Sequence, residues 1–228
     1  MDIVTFRVAD DYFIPAYASV RGKETPIWIQ QRTPEAEHSI NVRQSGCGHS
    51  CVAMALRLLG FDDITPYKEY MLCRELFGAP LPPEKSPNGL RQYGFITPSG
   101  ITKVFKHFNV KSQDYGVPKG KRKECTDQIV NALKEGKLVI MASHPSEEFP
   151  ENPFSKGDHY ILLVGFNKDG KIFVANSSLN GITPILGVHD GVEESVIERA
   201  LWDGGESIDA TWGNLEILDK ITGYIIVG

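Results

Sequence analysis

The sequence predicts an α+β fold, with helices gathered in its first half and a mainly antiparallel sheet in its second. Three observations carry this. Apolar residues recur at helical spacing in four segments before residue 135. Beyond it, short continuous apolar runs of strand length take over, and two of them bracket Asn167-Lys168-Asp169-Gly170, a hairpin turn sequence. No internal repeat, low-complexity tract or heptad run divides the chain. The 228 residues therefore read as a single domain, a helical lobe over about 1–135 packed on a sheet lobe over about 136–228.

Each element has its own signal. A helix begins directly after Cys47, with Val52, Ala55, Leu56 and Leu59 on one face and Gly60 as its stop. Thr65 caps a second helix with Pro66 in its first turn, running to about residue 76. Residues 99–108 and 126–135 repeat the helical pattern. Residues 138–143 read as a buried strand, and 159–166 and 171–176 as the two strands of the hairpin. A helix over 190–202 and a closing strand over 221–227 complete the chain. Residues 78–90 and 144–158, rich in Pro, Glu and Ser, read as long loops, and long loops in a compact domain often carry function.

Composition narrows the partners. Twenty-four basic against twenty-nine acidic side chains give a net charge of −5, which argues against nucleic acid or anionic lipid as a partner. At this length about 70% of the unfolded surface can be buried, so the four cysteines are not needed as staples. Asp10 and Asp11 fall where a secretory signal would place its apolar segment. The longest apolar stretch, residues 160–166, is far below the roughly 20 residues that cross a bilayer. The expectation is a cytoplasmic chain with no membrane partner and with reduced thiols. Composition leaves the oligomeric state open.

Among those thiols Cys47 stands apart. Ser45-Gly46-Cys47-Gly48 sets it at the first turn of a helix, where unpaired backbone N–H groups favour a thiolate and glycines admit a close approach of substrate. A nucleophile needs a base. Of six histidines, His159 opens a strand after Gly157-Asp158, and Asn176 ends the strand that returns beside it. The carboxamide can fix one ring nitrogen and leave the other to the thiol.

The run Gln44-Ser-Gly-Cys-Gly-His-Ser-Cys-Val-Ala-Met-Ala-Leu56 resembles the nucleophile helix of papain-like cysteine peptidases of the bacteriocin-processing, double-glycine type, family thirty-nine of the cysteine peptidases, and of their broader relatives. Gly157-Asp-His-Tyr-Ile-Leu-Leu-Val-Gly-Phe-Asn-Lys-Asp-Gly-Lys-Ile-Phe-Val-Ala-Asn176 is similar to that family's histidine hairpin, which ends in the Asp or Asn that orients the histidine. The resemblance covers about residues 26–176. It implies a papain-like fold with Cys47 as nucleophile, His159 as general base and acid, and Asn176 as orienter.

Such enzymes also place an oxyanion-hole Gln upstream of the Cys, commonly by six residues, where this chain has Asn41. Pro26-Ile-Trp-Ile-Gln30 resembles the opening of the broader relatives, which favours Gln30, with Gln44 and Asn41 as rivals. The implied function is hydrolysis of an amide bond in a peptide or small amide substrate, through a Cys-His-Asn triad and an acyl-enzyme. The alternatives are an acyltransferase that passes the acyl group to an amine or thiol, and an inert binding module on the same fold.

Cys47-x-His49-x-Cys51 also admits a metal or redox reading, and neither holds at the level of sequence. Tetrahedral zinc needs four ligands and no Cys-x-x-Cys partner is present, so no metal and no cofactor are expected. On this reading Cys51 is a buried thiol, Cys73 and Cys125 are isolated, and His49 caps its helix or faces solvent. Lys119, Lys121, Arg122 and Lys123 read as a solvated basic loop.

Overall fold

A computed structural model describes residues 5–7, 16–20, 23–27, 46–77, 96, 98–145, 149–177, 188–203 and 223–228. Its core is a six-stranded, wholly antiparallel sheet. In chain order the strands are β4 (Ser112–Tyr115), β5 (Leu138–Ser143), β6 (His159–Phe166), β7 (Ile172–Asn176), β8 (Val188–Val192) and β9 (Tyr224–Val227). They lie side by side as β4-β9-β5-β6-β7-β8. A separate three-stranded antiparallel sheet is formed by β1 (Thr5–Arg7), β2 (Ala16–Val20) and β3 (Lys23–Ile27), and β3 comes up against the first helix.

The helices are α1 (Cys47–Leu58), α2 (Pro66–Phe77), α3 (Pro98–His107), α4 (Arg122–Lys134) and α5 (Glu194–Ala200). The α+β class, the first three helices and the central strands stand as the sequence predicts. Local chemistry explains them. The Thr65 hydroxyl accepts from Lys68 N–H at 3.1 Å and caps α2. At Gly60, with φ +97°, α1 ends as its N–H donates to Arg57 O and that of Phe61 to Leu56 O. In the hairpin turn, Asn167 Oδ1 accepts from the N–H groups of Asp169 and Lys171 at 2.9 and 3.0 Å, and Gly170 takes φ +79°.

Alternation along the strands sends side chains to two cores. Leu138, Ile140, Ala142, Tyr160, Leu162, Phe173, Ala175 and Ile225 face α1, α2 and α3. Val139, Met141, Ile161, Leu163, Ile172, Val174 and Tyr224 face α4 and α5. Helices thus cover both faces of the sheet, which is why β5, β6 and β7 are buried throughout and largely apolar rather than alternating. Helix α1 is buried on nearly every side, from Cys47 to Arg57. No helix among the described residues is long and apolar enough to cross a membrane.

Two expectations change, and one strand has no signal in the sequence. Residues 190–202 are not one helix: β8 runs to Val192 and α5 starts only at Glu194. Gly191, with φ +108°, is the extra residue of a bulge, since Val192 pairs with Ile172 and Asp190 with Phe173. Strand β4, Ser-Gln-Asp-Tyr, has no apolar pattern and forms because β9 offers it a full set of partners. The basic segment is not a plain solvated loop, for α4 begins at Arg122 and Arg122 Nη2 pairs with Asp203 Oδ1 at 2.8 Å, while Lys121 and Lys123 pair with Glu124 and Asp127.

Candidate functional site

Cys47 is the first residue of α1, directly after the N-cap residue Gly46, and only 6% of it is exposed. Gly48 has a tighter role than admitting substrate. A Cβ at that position would lie 2.4 Å from Ile96 Cγ2 and 3.1 Å from Tyr160 Cδ2, so the absent side chain is what lets the first turn of α1 lie against β6. The backbone amides of Tyr160, Gly48 and Cys47 itself favour the ionised form of this thiol.

Those amides lower the thiol pKa, as a helix terminus predicts, yet burial is the larger influence and pushes it up on balance. The depressed thiol expected from the sequence is therefore corrected to a neutral one. His159 shifts the opposite way: burial lowers it from 6.5 to about 4, against a smaller upward pull from its bond to Asn176. Both directions favour the uncharged forms of the thiol and of the imidazole.

Strand pairing delivers the histidine and the amide. Asn176 ends β7 opposite Ile161, and His159 starts β6 two residues earlier. His159 Nε2 and Asn176 Oδ1 are 2.6 Å apart, both residues buried. The carboxamide's orientation is set from its other end, where Nδ2 donates to Phe154 O at 2.8 Å. An amide oxygen only accepts, so Nε2 carries the proton and Nδ1 keeps its lone pair. Tyr160, the residue after His159, lies against Gly48, the residue after Cys47. The structure brings His159 and Asn176 together, and Cys47 opens the helix that packs on the strand His159 begins, while Gln30, Asn41 and Gln44 lie outside the described residues.

The loop before His159 holds the support that sequence reasoning missed. Asn152 Oδ1 accepts from Phe154 N–H at 2.9 Å, and its Nδ2 donates to the buried Ser143 Oγ at 2.9 Å. Asn152-x-Phe154 is an Asx-turn spacing, a signal present in the sequence. His144 pairs with Asp158 and stacks on Trp202 at a centroid distance of 4.7 Å, fastening the two ends of the same loop. His49 neither caps α1 nor faces solvent: it is fully buried, and its Nδ1 pairs with Glu69 on α2. Nor is Cys73 isolated, because its thiol donates to the other Glu69 oxygen at 3.1 Å.

A profile of the Peptidase_C39 like family matches residues 24–183, a span that holds Cys47, His159 and Asn176. Among solved structures, that of a candidate C39-like peptidase from Bacillus anthracis is similar, with 13% identity and a TM-score of 0.46, over 81% of this chain and 89% of that one. No curated protein matches.

Proposed function

The chain belongs to the Peptidase_C39 like family, and on that premise we propose that it is a thiol peptidase or amidase that cleaves an amide bond through an acyl-enzyme. Cys47 is the nucleophile, His159 the general base and then acid, and Asn176 the residue that holds the imidazole. The observation that carries this is the buried His159–Asn176 bond, which leaves Nδ1 with its lone pair on a strand packed against the helix that starts with Cys47.

In the resting site both partners are neutral. Attack and proton transfer are then coupled: as the Cys47 sulfur bonds to the substrate carbonyl carbon, its proton passes to His159 Nδ1, and the imidazolium returns that proton to the leaving amine. Water next attacks the thioester with the same histidine as base. The tetrahedral oxyanion is held by the Cys47 N–H together with a side-chain amide, for which Gln30 is the first choice and Gln44 and Asn41 the rivals. Loss of one such donor typically costs about 3–4 kcal/mol. The loop that leads directly into His159, residues 149–158 among the described ones, is the segment assigned to substrate selection.

Alkylation and cleavage test this together. With iodoacetamide at neutral pH, Cys47 is expected to react before the fully buried Cys51 and Cys73, and His159→Ala to slow that reaction. Peptide cleavage is expected to vanish in Cys47→Ala. Unchanged alkylation in H159A, with cleavage persisting in C47A, refutes the assignment. An amine added to the reaction separates transfer from hydrolysis by the mass of the product.

A further inference from the structure

His49, Glu69 and Cys73 form a second cluster beneath the nucleophile helix, all three fully buried. His49 lies in the first turn of α1, two residues after Cys47. Glu69 and Cys73 are four residues apart on α2, which puts both on one helix face. One donor atom from each lies within 4.8 Å of the others, and Cys73 Sγ is 3.9 Å from His49 Nδ1.

We propose that this cluster is a binding site for a divalent transition-metal ion, zinc above all. The donor set suits it: thiolate sulfur, imidazole nitrogen and carboxylate oxygen are the three ligand types that zinc takes. The charge suits it as well. A dication with one thiolate, one carboxylate and a neutral imidazole sums to zero, which is what an enclosed apolar setting requires. The choice of Cys at position 73 points the same way. A thiol is a weak hydrogen-bond donor, and Ser or Thr would satisfy Glu69 better, whereas thiolate adds metal affinity.

On loading, Sγ of Cys73 exchanges its proton for the ion and releases it to solvent. His49 binds through Nδ1, its proton then residing on Nε2, and Glu69 changes partners without a change of charge. The three residues would supply three of the four positions that zinc takes. The ion would tie the first turn of α1 to α2, two residues from Cys47.

Titration of the chelator-stripped protein with Co2+ under anaerobic conditions tests this. Wild type is expected to bind one equivalent and to develop a near-ultraviolet thiolate-to-cobalt band. Cys47→Ser is expected to keep the band, Cys73→Ser to lose it, and Glu69→Gln to bind more than about tenfold more weakly, since loss of even an outer-sphere partner costs a metal site that much. Zn2+ is expected to raise the melting temperature of wild type and not of E69Q. Absence of a band in wild type, its loss in C47S, or undiminished binding in E69Q each overturns the proposal. Because E69Q retains all four thiols, it decides the matter even if C73S does not fold.

Discussion

His159 Nε2 and Asn176 Oδ1 lie 2.6 Å apart inside the protein, and the second hydrogen bond of the same carboxamide, to Phe154 O, leaves no choice as to which end faces the ring. The histidine is thereby held in one tautomer before any substrate arrives. Asn176→Ala removes that constraint without touching sulfur or imidazole. Hydrolysis of an activated ester such as p-nitrophenyl acetate is expected to fall by about 10²-fold in kcat, the usual cost of a misplaced catalytic group, with KM little changed. A full rate in N176A would refute the orienting role.

Burial of His159 also makes a prediction about stability and pH. Its pKa is about 4 in the folded chain against the ordinary 6.5, so between those values the unfolded chain binds the additional proton. The stabilisation is fully present above pH 6.5 and is lost as pH falls from there towards 4. At 1.36 kcal/mol per unit the whole effect is about 3 kcal/mol. Urea unfolding across this window is expected to show the decline in wild type. His159→Gln, which cannot titrate, is expected to lack this component, and equal slopes for the two proteins would assign the acid sensitivity to other groups.

Much of the candidate site was legible because its determinants are local. Cys47 is found from a helix pattern and flanking glycines. The His159–Asn176 pair is found from a hairpin with a local turn sequence, although a one-residue bulge between Leu163 and Gly165 shifts its register. What escaped depends on neighbours distant in sequence. Ser112-Gln113-Asp114-Tyr115 has no strand pattern and is a strand because β9 lies beside it. Gly191, where a helix was expected, is a bulge that only the pairing with β7 explains. The environment of His49 is set by α2, twenty residues away, and the thiol's net upward shift follows from burial that no local pattern encodes.

Gly48 permits a prediction whose sign runs against helix propensity. In an exposed helix interior Gly→Ala stabilises by about 0.5–1 kcal/mol. Here the new Cβ would meet Ile96 Cγ2 at 2.4 Å and the Tyr160 ring at 3.1 Å, and overpacking of this kind typically costs about 1–3 kcal/mol. Gly48→Ala is therefore expected to lower the melting temperature. Because Gly48 is the neighbour of Cys47, alkylation of Cys47 is expected to change along with stability. A G48A protein that melts higher than wild type would show that the first turn is not pressed against β6.

The longest reach of the site runs through the loop that precedes His159. Ser143 Oγ accepts from Asn152 Nδ2, Asn152 Oδ1 accepts from Phe154 N–H, Phe154 O accepts from Asn176 Nδ2, and Asn176 Oδ1 accepts from His159. Four bonds in series connect the end of β5 to the imidazole, and Ser143, Asn152, Phe154 and Asn176 are all buried. Asn152→Ala deletes two of them without altering any group proposed to touch substrate. Its expected cost is about 1–3 kcal/mol of stability, the range for breaking buried hydrogen bonds, together with a slower ester hydrolysis expressed in kcat. If Asn152 acts on His159 only through Phe154 and Asn176, the two losses overlap. In the double variant N152A/N176A the kinetic penalty should then fall short of the sum of the single ones, by about 0.5–3 kcal/mol of coupling. Strictly additive penalties would mean that Asn152 stabilises the loop without positioning the histidine.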